Sequence, residues 1–347
     1  MRYLPLDMAN EGMRLGKTVY REDDGKVLLS QGTRLKHYYI QRLRLMEYTH
    51  IYVMDPGDTE EDLKFLEPVR EETRVQARIV VRDAIRSARQ NRPIQMDNIH
   101  RVVDEIIDQV LYNNDVVYNI VDLKSHDNYT YAHSVNVCIL SVLTGKTLGM
   151  NLFDLRDLAV GAILHDLGKV YIDPDVLNKP SELTEDEYAI VKEHPRYGFD
   201  ALRNKVNLSL LSAHVAFQHH EREDGSGYPR GLHSSEIHRF AKVVAVADSY
   251  DAMTTARVYK EAMMNHLAIE ELVNHTDKYH SGVVNSFCKA VAIYPIGSVL
   301  RLNTRENVVV VNVTKNEFRV KVLDGINAGS YYDLYHMDEI WVHHRIS

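Results

Sequence analysis

Residues 163–170 read ILHDLGKV, an apolar helical run that ends on an adjacent histidine and aspartate and is broken by Gly168. Side chains next to each other on a helix diverge by about 100°, but the relaxed geometry of a helix end can aim both at one centre. Imidazole and carboxylate together suit Zn, Mn or Fe, and a carboxylate shared between two ions about 3.5–4 Å apart is the arrangement of two-metal hydrolysis. His165 and Asp166 are therefore candidate metal ligands.

Working outward, other candidates lie at helix ends or along apolar stripes: His133 at the start of HSVNVCILSVLTGKTLGM, His194 closing TEDEYAIVKEHP, His219 and His220 closing LSLLSAHVAFQHH, and Asp248 in VVAVADSYDAM. One histidine on an apolar helix is ordinarily structural. Seven such groups buried without a cation would each cost about 1–3 kcal/mol if left without a partner, so the set argues for metal. His219 and His220 also open the stretch HHEREDGSGYP (219–229), whose glycines allow the backbone a close approach to a bulky ligand.

Segments of helical period fill residues 97–292, among them NIHRVVDEIIDQVLYN, DLRDLAVGAILHDLGK and LAIEELVNH. Asn151 is a candidate N-cap, and Thr184 with Glu187 three residues on forms a candidate capping box. Residues 1–60 mix the short β-rich runs KTVY, KVLLS and HIYVMD with the helical YYIQRLRLM, a small α+β module. Residues 61–96 read as a linker and connecting helix, with Arg74, Arg78, Arg82 and Arg86 on one face that is expected to be solvated. Residues 293–347 carry SVLRL, NVVVVNV, EFRVKVL and IWVHH between turn residues, a small β module. The fold class is mainly α, a helical bundle flanked by two small modules.

The 347 residues are 45% hydrophobic and 26% charged, with a net charge of −8, which argues against a DNA- or RNA-duplex surface. Two cysteines, Cys138 and Cys288, in apolar surroundings make a disulfide framework unlikely. No apolar run reaches the roughly 18–20 residues of a membrane span, and MRYLPLDMANEGMRLGK does not read as a signal peptide. A soluble cytoplasmic protein is expected.

The set His133, His165-Asp166 and Asp248, joined by His194, HDLGK and HHEREDGSGYP, resembles the HD-GYP subfamily of the HD phosphohydrolases. The likeness runs from about Asn128 to Phe287 and includes KPSELTEDE, EHPRYG, VAVADSYDAMT and RVYKEA. It implies an HD-GYP-type helical bundle and a metal-dependent phosphodiesterase that hydrolyses cyclic di-GMP to pGpG, with GMP as a further product. It implies that Asp166 bridges two divalent ions, iron or manganese. His133, His165 and Asp248 would lie on one side, and His194, His219 and His220 on the other. Lys169 would hold a substrate phosphate, Arg257 and Lys260 the other phosphate or a guanine, and Gly225, Gly227, Tyr228 and Pro229 would shape the substrate loop. Tyr129 stands where members with three metals carry a glutamate, which points to two ions; Val258 replaces the proline of the family's RPYK. The other readings are a nucleotide sensor or interaction module with weak turnover, and a hydrolase of another cyclic (di)nucleotide. A signalling-protein partner or a homodimer is compatible with either.

Overall fold

The computed structural model describes residues 2–21, 24–46, 48, 50–54, 68–113, 129–177, 179, 181–255, 263–294, 296–314, 316–337, 339–340 and 342–345. These cluster into two compact units, one containing residues 69–112 and 130–291, the other the N- and C-terminal parts.

In the N-terminal part, β1 (Arg2–Pro5), β5 (His50–Met54) and β2 (Arg14–Leu15) form an antiparallel sheet in the order β1-β5-β2, and β3 (Val19–Tyr20) pairs with β4 (Val27–Leu29). Helix α1 (His37–Leu45) buries Ile40 and Leu43 in a core with Leu15, Leu35, Ile51 and Val53. The C-terminal part is a five-stranded antiparallel sheet in the order β10-β6-β7-β8-β9. Its strands are β6 (Val299–Leu302), β7 (Asn307–Val313), β8 (Phe318–Val322), β9 (Tyr331–Asp333) and β10 (Val342–Arg345). Alternate residues Leu300, Leu302, Val308, Val310, Val320 and Val322 face one core, as a sheet buried on one side requires. Strand β9 carries no apolar alternation and was not legible in the sequence.

The helical unit comprises α2 (Glu71–Arg89), α3 (Met96–Tyr112), α4 (Tyr129–Thr147), α5 (Leu152–Ile163), α6 (Pro174–Leu177), α7 (Glu185–Val191), α8 (His194–Leu202), α9 (Leu210–Gln218), α10 (Arg239–Thr254), α11 (Asn265–Asn274) and α12 (Ser281–Ala290). Residues 132–145 of α4 are buried without interruption, as is most of α10 from Phe240 to Asp248, so these two helices have no solvent stripe and run through the core. The expected caps are present. The Asn151 side chain accepts from the Asp154 N–H, and Thr184 and Glu187 bond each other's backbone as a capping box. Cys138 is buried and neither cysteine is in a disulfide. No helix among the described residues is long and apolar enough to cross a membrane.

Two local expectations change. His194 opens α8 rather than closing the preceding helix, because α7 stops at Val191 and Pro195 sits in the first turn of the next helix, where its missing N–H costs nothing. The arginine face of α2 is not uniformly solvated. Arg74 is buried and donates to Asn136 on α4, whereas Arg86 is exposed.

The turn at Leu167–Tyr171 packs directly on α8. A Cβ on Gly168 would lie 1.9 Å from the carbonyl oxygen of His194 and 2.5 Å from the Gly198 nitrogen. This contact sets His194 beside Asp166. Because both neighbours are backbone, Gly168→Ala is expected to cost about 3 kcal/mol of stability, read as a lowered urea midpoint; an unchanged midpoint would contradict the close approach.

Candidate metal centre

Five elements deliver the side chains. His133 comes from the second turn of α4, His165 and Asp166 from the end of α5, His194 from the first residue of α8, His219 and His220 from the end of α9, and Asp248 from the middle of α10. All but His220 are buried, and His220 is partly so. Possible ligand atoms of Asp166, His194, His219 and His220 lie within 4.8 Å of one another, as do those of His133, His165 and Asp166. The two groups share Asp166. Its Oδ1 is 3.4 Å from His194 Nε2 and 3.8 Å from His219 Nε2. Its Oδ2 is 3.5 Å from His165 Nε2 and 3.7 Å from His133 Nε2. Asp248 adds Oδ1 at 3.1 Å from His133 Nε2 and 3.9 Å from His165 Nε2, and its Oδ2 is 4.0 Å from His220 Nδ1.

The backs of the rings fix which nitrogen carries the proton. Nδ1 of His165 lies 2.7 Å from the Ala162 carbonyl, that of His194 2.7 Å from Val191, and that of His219 3.0 Å from Ala216. A carbonyl only accepts, so each Nδ1 donates and each Nε2 presents a lone pair to the centre. His133 Nδ1 likewise meets Asp251 Oδ2 at 2.7 Å.

This leaves an electrostatic conflict. Nε2 of His194 and of His219 are 3.3 Å apart. Burial pushes the His194 imidazole down to about 4, and burial pushes His219 and His220 well below their usual range, so these rings are neutral near pH 7. Two lone pairs then face each other in a buried site. Among the described residues, His165 Nε2 and Asp166 Oδ1 are also buried without a hydrogen-bond partner. Burial would raise Asp166 and Asp248, but Lys169 beside the first and His133 beside the second hold both carboxyls well below the usual range. Burial would lower His133, but the Asp248 and Asp251 carboxylates beside it raise it to about 9. The neutral imidazoles of His194, His219 and His220, converging with ionised carboxylates on unsatisfied atoms, are what a divalent cation needs. The cluster fits such ions.

Lys169, in the turn after Asp166, is partly exposed and places Nζ 2.6 Å from Asp166 Oδ2. The Tyr228 ring stacks on His220 with centroids 4.6 Å apart and stands edge-on to His194 at 6.4 Å. Gly225 has a φ of +80°. A Cβ on Gly227 would come within 2.4–2.5 Å of the backbone of residues 220–222, so the close approach there is to the chain itself rather than to open space. Pro229 follows Tyr228 in that loop. Arg257, Lys260 and Val258 lie outside the described residues, as does the side chain of Tyr129.

Three contributors were not singled out from the sequence. Asp251 and Asn136 lie three residues after Asp248 and His133, the spacing that shares a helix face, and on these buried helices that spacing was the available signal. Glu221 is buried and accepts from the Arg230 and Leu232 N–H groups at 2.9 Å each, tying the ends of the 219–232 loop together.

Residues 115–283 match the family model described as an HD domain. The chain is 36% identical over 228 residues to a cyclic di-GMP phosphodiesterase of Pseudomonas aeruginosa, covering 66% of this chain and 55% of that protein. It is 40% identical over 151 residues to a cyclic di-GMP phosphodiesterase response regulator of Xanthomonas campestris, covering 43% and 40%. The chain thus spans about half the length of these curated relatives. An HDG"Y"P protein from Bdellovibrio bacteriovorus shares the fold, with a TM-score of 0.51 at 16% identity over 82% of this chain and 97% of that one. The stretch similar to HD domains, residues 115–283, carries all seven candidate ligands.

Ions bound by the folded state alone stabilise it by about 2.7 kcal/mol at one hundred times their dissociation constant. Adding Mn²⁺ or Fe²⁺ to chelator-treated protein is therefore expected to raise the melting temperature, and Asp166→Ala to abolish both the rise and the bound metal by elemental analysis. Full metal content in that variant would contradict the shared role of Asp166.

Proposed function

We propose that this chain is a metal-dependent phosphodiesterase that hydrolyses cyclic di-GMP to pGpG, with GMP as a further product. The observation that carries the reading is the set of buried imidazoles whose Nε2 atoms face a shared carboxylate. The names of the Pseudomonas and Xanthomonas relatives supply the substrate. His133, His165 and Asp248 would hold one ion and His194, His219 and His220 the other, with Asp166 between them. Iron or manganese suits this donor set. When bound, such ions supply Lewis acidity and a nucleophile at neutral pH.

The protein's own groups do the rest. Asp166 and Asp248 keep their charge despite burial and so favour cations over protons in the site. Lys169 has an ammonium near the shared carboxylate and enough exposure to reach a phosphate, where it offsets the charge that grows in the transition state. Tyr228 offers an apolar ring beside His220, held by a loop that Glu221 and Gly227 fix, and serves as a wall for the nucleotide. Arg257 and Lys260 are assigned to the second phosphate or a guanine edge by their place in RVYK. A substrate of this kind goes with a cytoplasmic location. A sensor without turnover is the less favoured reading, since it gives no reason for this donor set and the adjoining lysine.

The test is pGpG formation from cyclic di-GMP by the full chain, purified anaerobically and loaded with Mn²⁺ or Fe²⁺. Metal-dependent release of pGpG is expected, and Lys169→Gln should lower kcat by about 10²-fold with metal content unchanged. Loaded protein that binds the nucleotide without cleaving it would replace the enzyme by a sensor; cleavage of a different cyclic dinucleotide in preference would overturn the substrate.

A further inference from the structure

Behind His133 runs a chain of buried polar side chains. Its Nδ1 meets Asp251 Oδ2 at 2.7 Å. The other carboxylate oxygen of Asp251 accepts from Asn136 Nδ2 at 2.8 Å, and Asn136 Oδ1 accepts from Arg74 Nη2 at 3.0 Å. All four residues are buried. They span three helices, with Arg74 on α2, His133 and Asn136 on α4, and Asp251 on α10. Glu71 lies 3.8 Å from Arg74 Nε and shares its charge.

The direction of every bond in this chain follows from its far end. A guanidinium has donors and no acceptor, so the atom of Asn136 that faces it must be the carbonyl oxygen. The amide NH₂ must then face Asp251, whose carboxylate accepts. With one oxygen engaged there, the other is aimed at His133 Nδ1. A ligating imidazole backed by a carboxylate is held in one tautomer and orientation and is the stronger donor to metal. His165, His194 and His219 are oriented differently, by carbonyls of the turn just before each ring. No side-chain substitution removes those carbonyls. The half of the centre that contains His133 therefore depends on remote side chains, and the half that contains His194 and His219 does not.

We infer that Arg74 on α2 is a positioning residue for the His133 half of the metal centre, acting through Asn136 and Asp251. The inference rests on the metal reading above and extends it to a helix that lies outside the 115–283 stretch matched by the HD-domain model. Removing the guanidinium takes away the donor that fixes Asn136 Oδ1, and with it one restraint on the amide that faces Asp251. Asp251 then loses its fixed donor, and His133 is no longer held with Nε2 toward Asp166 and Asp248.

The experiment is equilibrium Mn²⁺ binding by the full chain, read as bound metal against free metal, for Arg74→Met, Arg74→Lys, Asp251→Asn and the double variant Arg74→Met/Asp251→Asn. Arg74→Met is expected to weaken one binding event about tenfold and leave the other at its wild-type affinity. Arg74→Lys, which still donates to Asn136, should recover part of the loss. Asp251→Asn should weaken the same event, and the double variant should be no weaker than Asp251→Asn alone, because both changes break one relay. Arg78→Met controls for damage to α2, since Arg78 pairs with Glu71 on the same helix and should leave both events intact. Wild-type affinities in Arg74→Met would overturn the inference. So would equal weakening of both events, or additive effects in the double variant, either of which marks a role in stability alone. Wild-type protein that takes up no metal would instead overturn the metal reading itself.

Discussion

The 3.3 Å approach of His194 Nε2 to His219 Nε2, beside a buried Asp166 oxygen without a hydrogen-bond donor, is the contact on which the rest of the helical unit depends. Neutral rings so placed repel unless a cation joins them, and their protons are committed to backbone carbonyls behind. The fold supplies the rigidity that such a conflict demands. Helices α4 and α10 are buried almost all round and hold His133 and Asp248 on the core side. Gly168 lets α8 press against the turn after α5, so that the His194 ring reaches Asp166 at all. Apolar packing therefore provides the energy that keeps an arrangement of mutually repelling donors ready for metal.

The proposed substrate wall is built on the same helix ends. His219 and His220 finish α9, and the chain turns at once into the loop that carries Tyr228. Glu221 anchors that loop from within through two backbone N–H groups, and Gly227 lies against the backbone of residues 220–222. The ring on His220 and the candidate ligand atoms of His219 and His220 thus share one short, tightly packed segment.

Much of the candidate site was legible in the sequence because five of its seven residues sit where helices end, and helix ends are written in caps, glycines and prolines. The break at Gly168 locates the end that carries His165 and Asp166, while Asn151 and Thr184 with Glu187 locate the starts of α5 and α7. The exception is instructive: EHP reads as the close of a helix, but Pro195 is better placed in a first turn, and His194 starts α8. What the sequence does not carry is the identity of the surface that a helix face meets. Four-residue spacing put Arg74 on a charged stripe. Only the packing of α2 on its neighbours reveals that this guanidinium is buried and bonded to Asn136. Asp251 was hidden for the same reason, since an acid three residues from a ligand reads equally well as a solvated neighbour until α4 is seen against α10.

The central claim is that one carboxylate, Asp166, joins two ion positions. Anomalous diffraction from crystals of the manganese-loaded protein tests it most directly. The account predicts two anomalous peaks flanking the Asp166 carboxylate, one against His133, His165 and Asp248 and the other against His194, His219 and His220. Peaks remote from Asp166, or none in crystals of protein shown to contain manganese, would contradict it.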